Sequence, residues 1–182
     1  MVNIYEQKLT NLQQGILRLL FVKSGKTLNA LNIAKNLGVS QPAVSKSLHF
    51  LEKEEMINVK KDKESGRYSV SLNSENHNII QLKRADNLKM IYESGLADFL
   101  EEKFAGAAII LFGSYSKGED TINSDIDIAI IGRKEKEADM ERFEKLLERK
   151  INLNFYESFK KIHKHLKENI LNGIILAGGV EL

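Results

Sequence analysis

Cysteine is absent from the 182 residues, which excludes disulfides, thiol nucleophiles and cysteine metal sites. Long apolar runs are missing too: none approaches the ~20 residues of a helical bilayer span. The first ten residues, MVNIYEQKLT, are polar where a secretory leader would carry an apolar stretch. Low-complexity tracts and internal repeats are lacking, and proline occurs once, at Pro42. No charge sign dominates, since 27 Lys+Arg face 25 Asp+Glu for a net +2. What remains, 42% hydrophobic and 29% charged residues, is an ordinary globular mixture whose length allows one large or two small domains. Cytoplasm is the default compartment, with no membrane partner.

The most informative stretch present is GSYSKGEDTINSDID, residues 113–127. Residues 107–112, AAIILF, form a continuous apolar run closed by glycine, too short for a typical helix, and read as a buried strand. The chain then turns at Gly113-Ser114, where glycine admits close approach of a ligand and backbone N–H groups plus the Ser114 hydroxyl can donate to phosphate oxygens. Residues 125–131, DIDIAII, read as a second strand. Its period of two sends Asp125 and Asp127 to one face and Ile126, Ile128 and Ile130 to the other. Two carboxylates on one face call for a cation, and beside phosphates the usual one is Mg²⁺. Taken singly, a Gly-Ser pair is usually only a turn and an Asp-x-Asp only the wet face of an edge strand. Their joint spacing and apolar flanks carry the functional reading.

In LFGSYSKGE and SDIDIAI the chain resembles the nucleotidyltransferases related to DNA polymerase beta, in particular their minimal branch. The resemblance implies transfer of a nucleoside monophosphate from an NTP, ATP first among them, to a hydroxyl or similar acceptor. It implies Asp125 and Asp127 as catalytic metal ligands for Mg²⁺, and Gly113, Ser114 and Lys117 as phosphate contacts. One departure stands out. Active members carry a third carboxylate on a later strand, and the corresponding run here, residues 151–156 INLNFY, offers Asn152 and Asn154. Asparagine coordinates weakly through its carbonyl and takes no proton at neutral pH. Glu157, at the end of that run, is a possible substitute. Small members of the branch, some antitoxins included, manage with the Gly-Ser and Asp-x-Asp elements.

The first third of the chain carries a different pattern. From Thr27 to Leu72 it reads as two short helices, a turn and a two-stranded ribbon. Ala34, Gly38 and Val44 occupy small, turn and apolar positions, Ser40 is an N-cap, and Pro42 falls in the first turn of the second helix. Val44, Leu48 and Leu51 make its inward stripe. Residues 57–61 and 67–72 flank a polar tip, Asp62 to Gly66. This arrangement resembles the winged-helix domains of MarR- and ArsR-type transcription regulators. The resemblance implies double-stranded DNA as partner, a recognition helix over Ser40 to Glu54 presenting Gln41, Ser45, Lys46 and His49, and a wing presenting Lys60, Lys61, Lys63 and Arg67. It also implies a homodimer. Residues 1–75 hold 11 Lys+Arg against 7 Asp+Glu, and residues 76–182 hold 16 against 18, so positive charge gathers where DNA would bind.

The whole reads as an α+β chain: a winged-helix domain over 1–75, a packed helical connector over 76–104, and a nucleotidyltransferase fold with a small mixed sheet flanked by helices over 105–182. Ile79, Ile80, Leu82, Leu88 and Ile91 are expected inward on the connector. Met140, Phe143, Leu146 and Leu147 are expected inward on a helix between Lys134 and Lys150 that pairs Glu141 with Lys145. Ser158 to Asn172 is expected as a helix ended by Gly173. His163 and His165 point to different sides of it and make poor joint ligands. Three functions fit: an Mg²⁺-dependent nucleotidyltransferase, a regulator whose degenerate nucleotidyltransferase domain senses nucleotide, or an antitoxin-like protein that modifies or masks a toxin-like partner and represses its own operon.

Overall fold

A computed structural model describes residues 8–61 and 68–180. It divides into two compact units, Met1–Ile79 and Ile80–Leu182. Among the described residues no helix is long and apolar enough to cross a membrane.

The first unit opens with α1 (Asn11–Val22), an element that the pattern from Thr27 onward leaves out. Its signals are local: the Thr10 hydroxyl accepts from Gln13 N at 3.3 Å while the Gln13 carbonyl oxygen accepts from Thr10 N at 2.8 Å, a reciprocal capping box. Helices α2 (Ala30–Leu37) and α3 (Gln41–Lys53) follow, separated by Gly38 at the C-cap of α2. Ser40 is the N-cap of α3 without a side-chain bond, and Pro42 lies in the first turn, where its missing N–H costs nothing. Strands β1 (Ile57–Lys61) and β2 (Tyr68–Leu72) pair antiparallel from Ile57 opposite Leu72 to Lys61 opposite Tyr68, and Leu28 bridges to Val70. Ile16, Leu20, Ile33, Val44, Leu51 and Val70 close the core between the helices and the ribbon. Each such burial stabilises by roughly 1.5–3 kcal/mol relative to exposure.

The second unit is an α/β layer. It contains all but the first turn of α4 (His77–Glu93), then α5 (Leu96–Lys103), β3 (Ala108–Phe112), α6 (Gly113–Lys117), β4 (Ile126–Ile131), α7 (Glu141–Leu147), β5 (Ile151–Tyr156), a 3-10 turn at Phe159–Lys161, α8 (Lys164–Leu171) and β6 (Ile174–Ala177). The sheet order is β5-β4-β3-β6, with β4 parallel to β5 and β3 antiparallel to both β4 and β6, which is the small mixed sheet. Because β3 and β4 are covered on both sides, they read as apolar runs broken only at Asp127. Ile109, Leu111, Ile126 and Ile128 pack with Leu100 and Phe143 on one face. Ala108, Ile110, Ala129 and Ile131 pack with Phe159 and Ile170 on the other.

Three local expectations are corrected. The inward ladder of α4 is Ile79, Lys83, Asn87 and Ile91, while Leu82 is 45% exposed. On α7, Phe143 and Leu147 are buried one turn apart, which leaves Leu146 at the edge of the stripe and 58% exposed. The segment 158–172 is not one helix: Ile162 and His163 are extended (ψ 132° and 143°), so that Phe159 and Ile162 can both reach the sheet. Gly173 stands just past the Asn172 C-cap of α8, as expected, and also allows close approach, since a Cβ there would lie 2.4 Å from the Leu111 carbonyl oxygen.

Candidate functional site

The two aspartates converge because of strand register. Asp127 stands opposite Phe112 in the antiparallel β3/β4 pair and beside Asn152 in the parallel β4/β5 pair. Asp125 precedes β4, where Ile126 N donates to the Lys150 carbonyl oxygen at 2.8 Å and fixes the entry of the strand. The Asn152 Nδ2 amide donates to Asp125 Oδ2 at 3.2 Å and to Asp127 Oδ1 at 3.3 Å, so both carboxylates are aimed at one point. Asn154, two residues on, donates instead to the Asn152 carbonyl oxygen at 3.3 Å. Glu157 is exposed and paired with Lys161. Tyr156 lies on the same sheet face as Asp127; partial burial, and then the negative charge of Asp127, push its phenol above the ordinary tyrosine range.

The Gly-Ser pair is the opening of α6, where a plain turn was expected. Gly113 has φ +74°, and a Cβ built on it would meet Asp127 Oδ2 at 2.8 Å, so a side chain is excluded both by conformation and by space. Ser114 is half-buried and its carbonyl accepts from Glu119 N at 3.0 Å. Ser116 Oγ donates to the Gly113 carbonyl oxygen at 2.8 Å. Lys117 is half-buried at the far end of the five-residue helix. Gly113, Asp125, Asp127 and Asn152 therefore form one constellation, with Ser114 adjoining it. A cleft of about 580 Å³ opens beside Asp125, lined by Ser124, Glu144, Lys145 and Lys150 among others. The Glu144 carboxylate accepts from Ile151 N at 3.0 Å, a bond that together with Lys150 holds its pKa below the usual glutamate value.

The donors suit a hard divalent ion: two carboxylates and an amide that can offer its carbonyl oxygen by rotation. Among the described residues no group of three or more His, Cys, Asp or Glu stands ready to hold a metal.

Sequence reasoning passed over a buried polar cluster behind α6. Asp120 Oδ1 meets Lys83 Nζ at 2.8 Å and Asn87 Nδ2 at 2.7 Å, and Oδ2 meets an Arg149 nitrogen at 3.4 Å. Asn87 Nδ2 also donates to the Tyr115 carbonyl oxygen at 2.9 Å. Burial holds Lys83 below the usual lysine range, against the opposing pull of Asp120. The available signal was a Lys and an Asn at i, i+4 on the apolar ladder of α4.

In the first unit, Gln41, Ser45, Lys46 and His49 are all exposed on α3. Gln41, Ser45 and His49 line a groove of about 690 Å³ that Leu31, Val59 and Tyr68 also border. Lys60 and Lys61 are exposed on β1, with Lys61 Nζ 5.8 Å from the Tyr68 ring centre. Lys63 and Arg67 lie outside the described residues.

Comparison with known proteins follows the same division. Residues 93–177 match the nucleotidyltransferase domain family, and residues 9–68 match the MarR family. No curated protein matches the chain. Similar solved structures include the adhesin competence repressor AdcR of Streptococcus pyogenes, 28% identical over 56% of this chain and 72% of that one, with a TM-score of 0.40. Another is MepR of S. aureus in complex with DNA, 22% identical over 53% of this chain and 79% of that one, with a TM-score of 0.39. The two family matches fall one on each unit. The chain joins a MarR-family winged helix to a nucleotidyltransferase domain.

Proposed function

We propose that the second unit binds an Mg²⁺-NTP, with ATP the first candidate, and transfers its nucleoside monophosphate to an acceptor, while the first unit binds double-stranded DNA in the cytoplasm. The observation that supports this most is the packing of side-chain-free Gly113 against Asp127, with Asp125 turned to the same point. Mg²⁺, when bound, would supply charge neutralisation on the phosphates and on the pyrophosphate leaving group. In this reading Asp125 and Asp127 hold the ion, Gly113 and Ser114 donate to phosphate oxygens, and Lys117 adds a positive charge. The open cleft beside Asp125 gives the acceptor a way in. Attack of the acceptor hydroxyl oxygen on the α-phosphorus forms the new ester bond as the bond to the β-phosphate breaks; pyrophosphate leaves and the hydroxyl proton passes to water in the open cleft.

A second reading is favoured by Asn152. It occupies the position beside Asp127 where, by the family resemblance, a third carboxylate is expected, and an amide takes no proton from an acceptor. Such a site binds nucleotide well and transfers slowly, and the chain then acts as a nucleotide-responsive regulator or an antitoxin-like protein with a toxin-like partner. MarR-family regulators act as dimers on DNA, so a homodimer belongs to both readings. Incubation with α-phosphate-labelled NTPs separates them. Label transferred to an acceptor, and lost in Asp125→Asn/Asp127→Asn, supports the enzyme. Saturable binding without transfer, coupled to a change in DNA affinity, supports the regulator.

A further inference from the structure

Resting on the nucleotide reading above, we infer that the buried Asn87–Asp120–Lys83 cluster is the positioning device for α6, setting how Gly113 and Ser114 present themselves to a triphosphate. A buried charge pair is by itself weak evidence of function, because burial of both ions offsets most of their attraction. Here the location is informative. The same Asn87 Nδ2 that donates to Asp120 Oδ1 also donates to the Tyr115 carbonyl oxygen, an atom of α6 itself. Lys83 Nζ donates to the Asp120 backbone carbonyl as well as pairing with its carboxylate, which fixes the chain three residues past the end of the helix. Gly118, with φ +77°, lets the α4 backbone come in closely: a Cβ there would lie 2.5 Å from the Ile80 carbonyl oxygen and 2.8 Å from Arg84 N. Helix α4 thus meets α6 at Tyr115, its C-cap at Gly118 and the following loop at Asp120.

The bonds from Asn87 and Lys83 go to α6 and Asp120, whereas the bonds that join Asp125 to Asp127 come from Asn152, so α4 acts on the site through the Gly113 side. The metal half depends on β4 and Asn152, and the phosphate half on the grip of α4. Slackening the grip should therefore weaken phosphate binding selectively. Asn87→Leu keeps the branched shape of the side chain and leaves Lys83, Asp120 and Arg149 unsubstituted, while removing the bonds to Tyr115 and Asp120.

The test compares wild type and Asn87→Leu by calorimetric titration of Mn²⁺ alone and of Mg-ATP, with thermal melting recorded for both. The expected result is an increase of about tenfold in the Mg-ATP Kd with the Mn²⁺ Kd within about twofold of wild type, as for the loss of one charge-assisted bond's worth of positioning. An unchanged Mg-ATP Kd in a variant that melts earlier overturns the inference and leaves the cluster a structural one, as does an equal loss of both affinities. Absence of saturable Mg-ATP binding by wild type overturns the nucleotide reading and the inference together. A second measurement uses wild type only: the Asn87 side-chain amide resonances should shift when Mg-pyrophosphate is added, and their invariance at saturation contradicts the positioning role even if Asn87→Leu fails to fold.

Discussion

Gly113 and Asp127 are packed so closely that a methyl group on Gly113 would sit 2.8 Å from Asp127 Oδ2, in a backbone conformation of φ +74°. Alanine at this position meets both a left-handed backbone, which costs about 1–2 kcal/mol, and a collision with a carboxylate proposed to hold the metal. Gly113→Ala is expected to lower the melting temperature and to weaken Mg-NTP binding by about tenfold or more, since a shift of Asp127 by a few tenths of an ångström disturbs both halves of the site. Melting and titration of the same preparation check this. Wild-type affinity in the variant contradicts the arrangement.

Asn152→Asp places a third carboxylate beside Asp125 and Asp127. Without divalent ions the variant should melt below wild type, because the bridging amide is replaced by like charge. With Mg²⁺ or Mn²⁺ the order should reverse, and the metal Kd should fall by about tenfold. Melting curves with and without Mn²⁺ are sufficient. A variant whose stability ignores the ion shows that Asn152 does not face the metal position.

The pH dependence of β5 is set by Glu144. Its carboxylate accepts from Ile151 N, and that bond, with a contribution from Lys150, lowers its pKa from the ordinary 4.5. A depressed carboxylate pKa in the folded state gives stability that is present above the unfolded value and lost as pH falls through the folded one. Glu144→Gln should therefore melt below wild type at pH 7 and converge on it as pH drops from about 4.5 into the folded titration range. Parallel melting curves across that range, with a constant gap, contradict the assignment.

On the DNA side, the exposed residues of α3 and β1 divide by chemistry. Lys46→Ala and Lys60→Ala are expected to weaken binding to all sequences alike, with the salt slope falling by about 0.9 per lost phosphate contact. Gln41→Ala should relax preference at one base position at a cost of about 1–3 kcal/mol. Anisotropy titrations at several salt concentrations distinguish the two. Identical salt slopes in wild type and both lysine variants contradict a phosphate-contacting role.

How far the sequence revealed this arrangement depended on whether each signal was local. Residues 108–112 and 126–131 announce strands because both faces of each are covered, leaving apolar side chains on every position but Asp127. Pro42 and Gly38 mark the α2–α3 turn by backbone restriction alone. Alternation alone puts Asp125 and Asp127 on one face, but the register that sets Asp127 opposite Phe112 and beside Asn152 comes from pairing with β3 and β5. Lys83 and Asn87 are not readable by the same logic: their partners Tyr115 and Asp120 are 28 or more positions away, and a lysine on a helix is ordinarily solvated. The break at Ile162–His163 carries no glycine or proline, and follows from the pull of Phe159 and Ile162 toward the sheet. Helix α1 did carry local signals, in Thr10 and Gln13 and the Ile16–Leu20 stripe, outside the stretch on which the winged-helix pattern was recognised.

Calorimetric titration of Mg-ATP, Mg-GTP, Mg-CTP and Mg-UTP into wild type and Asp125→Asn/Asp127→Asn, with DNA binding recorded alongside, tests the central claim most directly. Saturable binding of at least one nucleotide by wild type, lost in the double variant while nucleotide-free DNA binding stays intact, is the predicted result. Equal nucleotide binding by both proteins, or none by wild type, contradicts a nucleotide site built on Asp125 and Asp127.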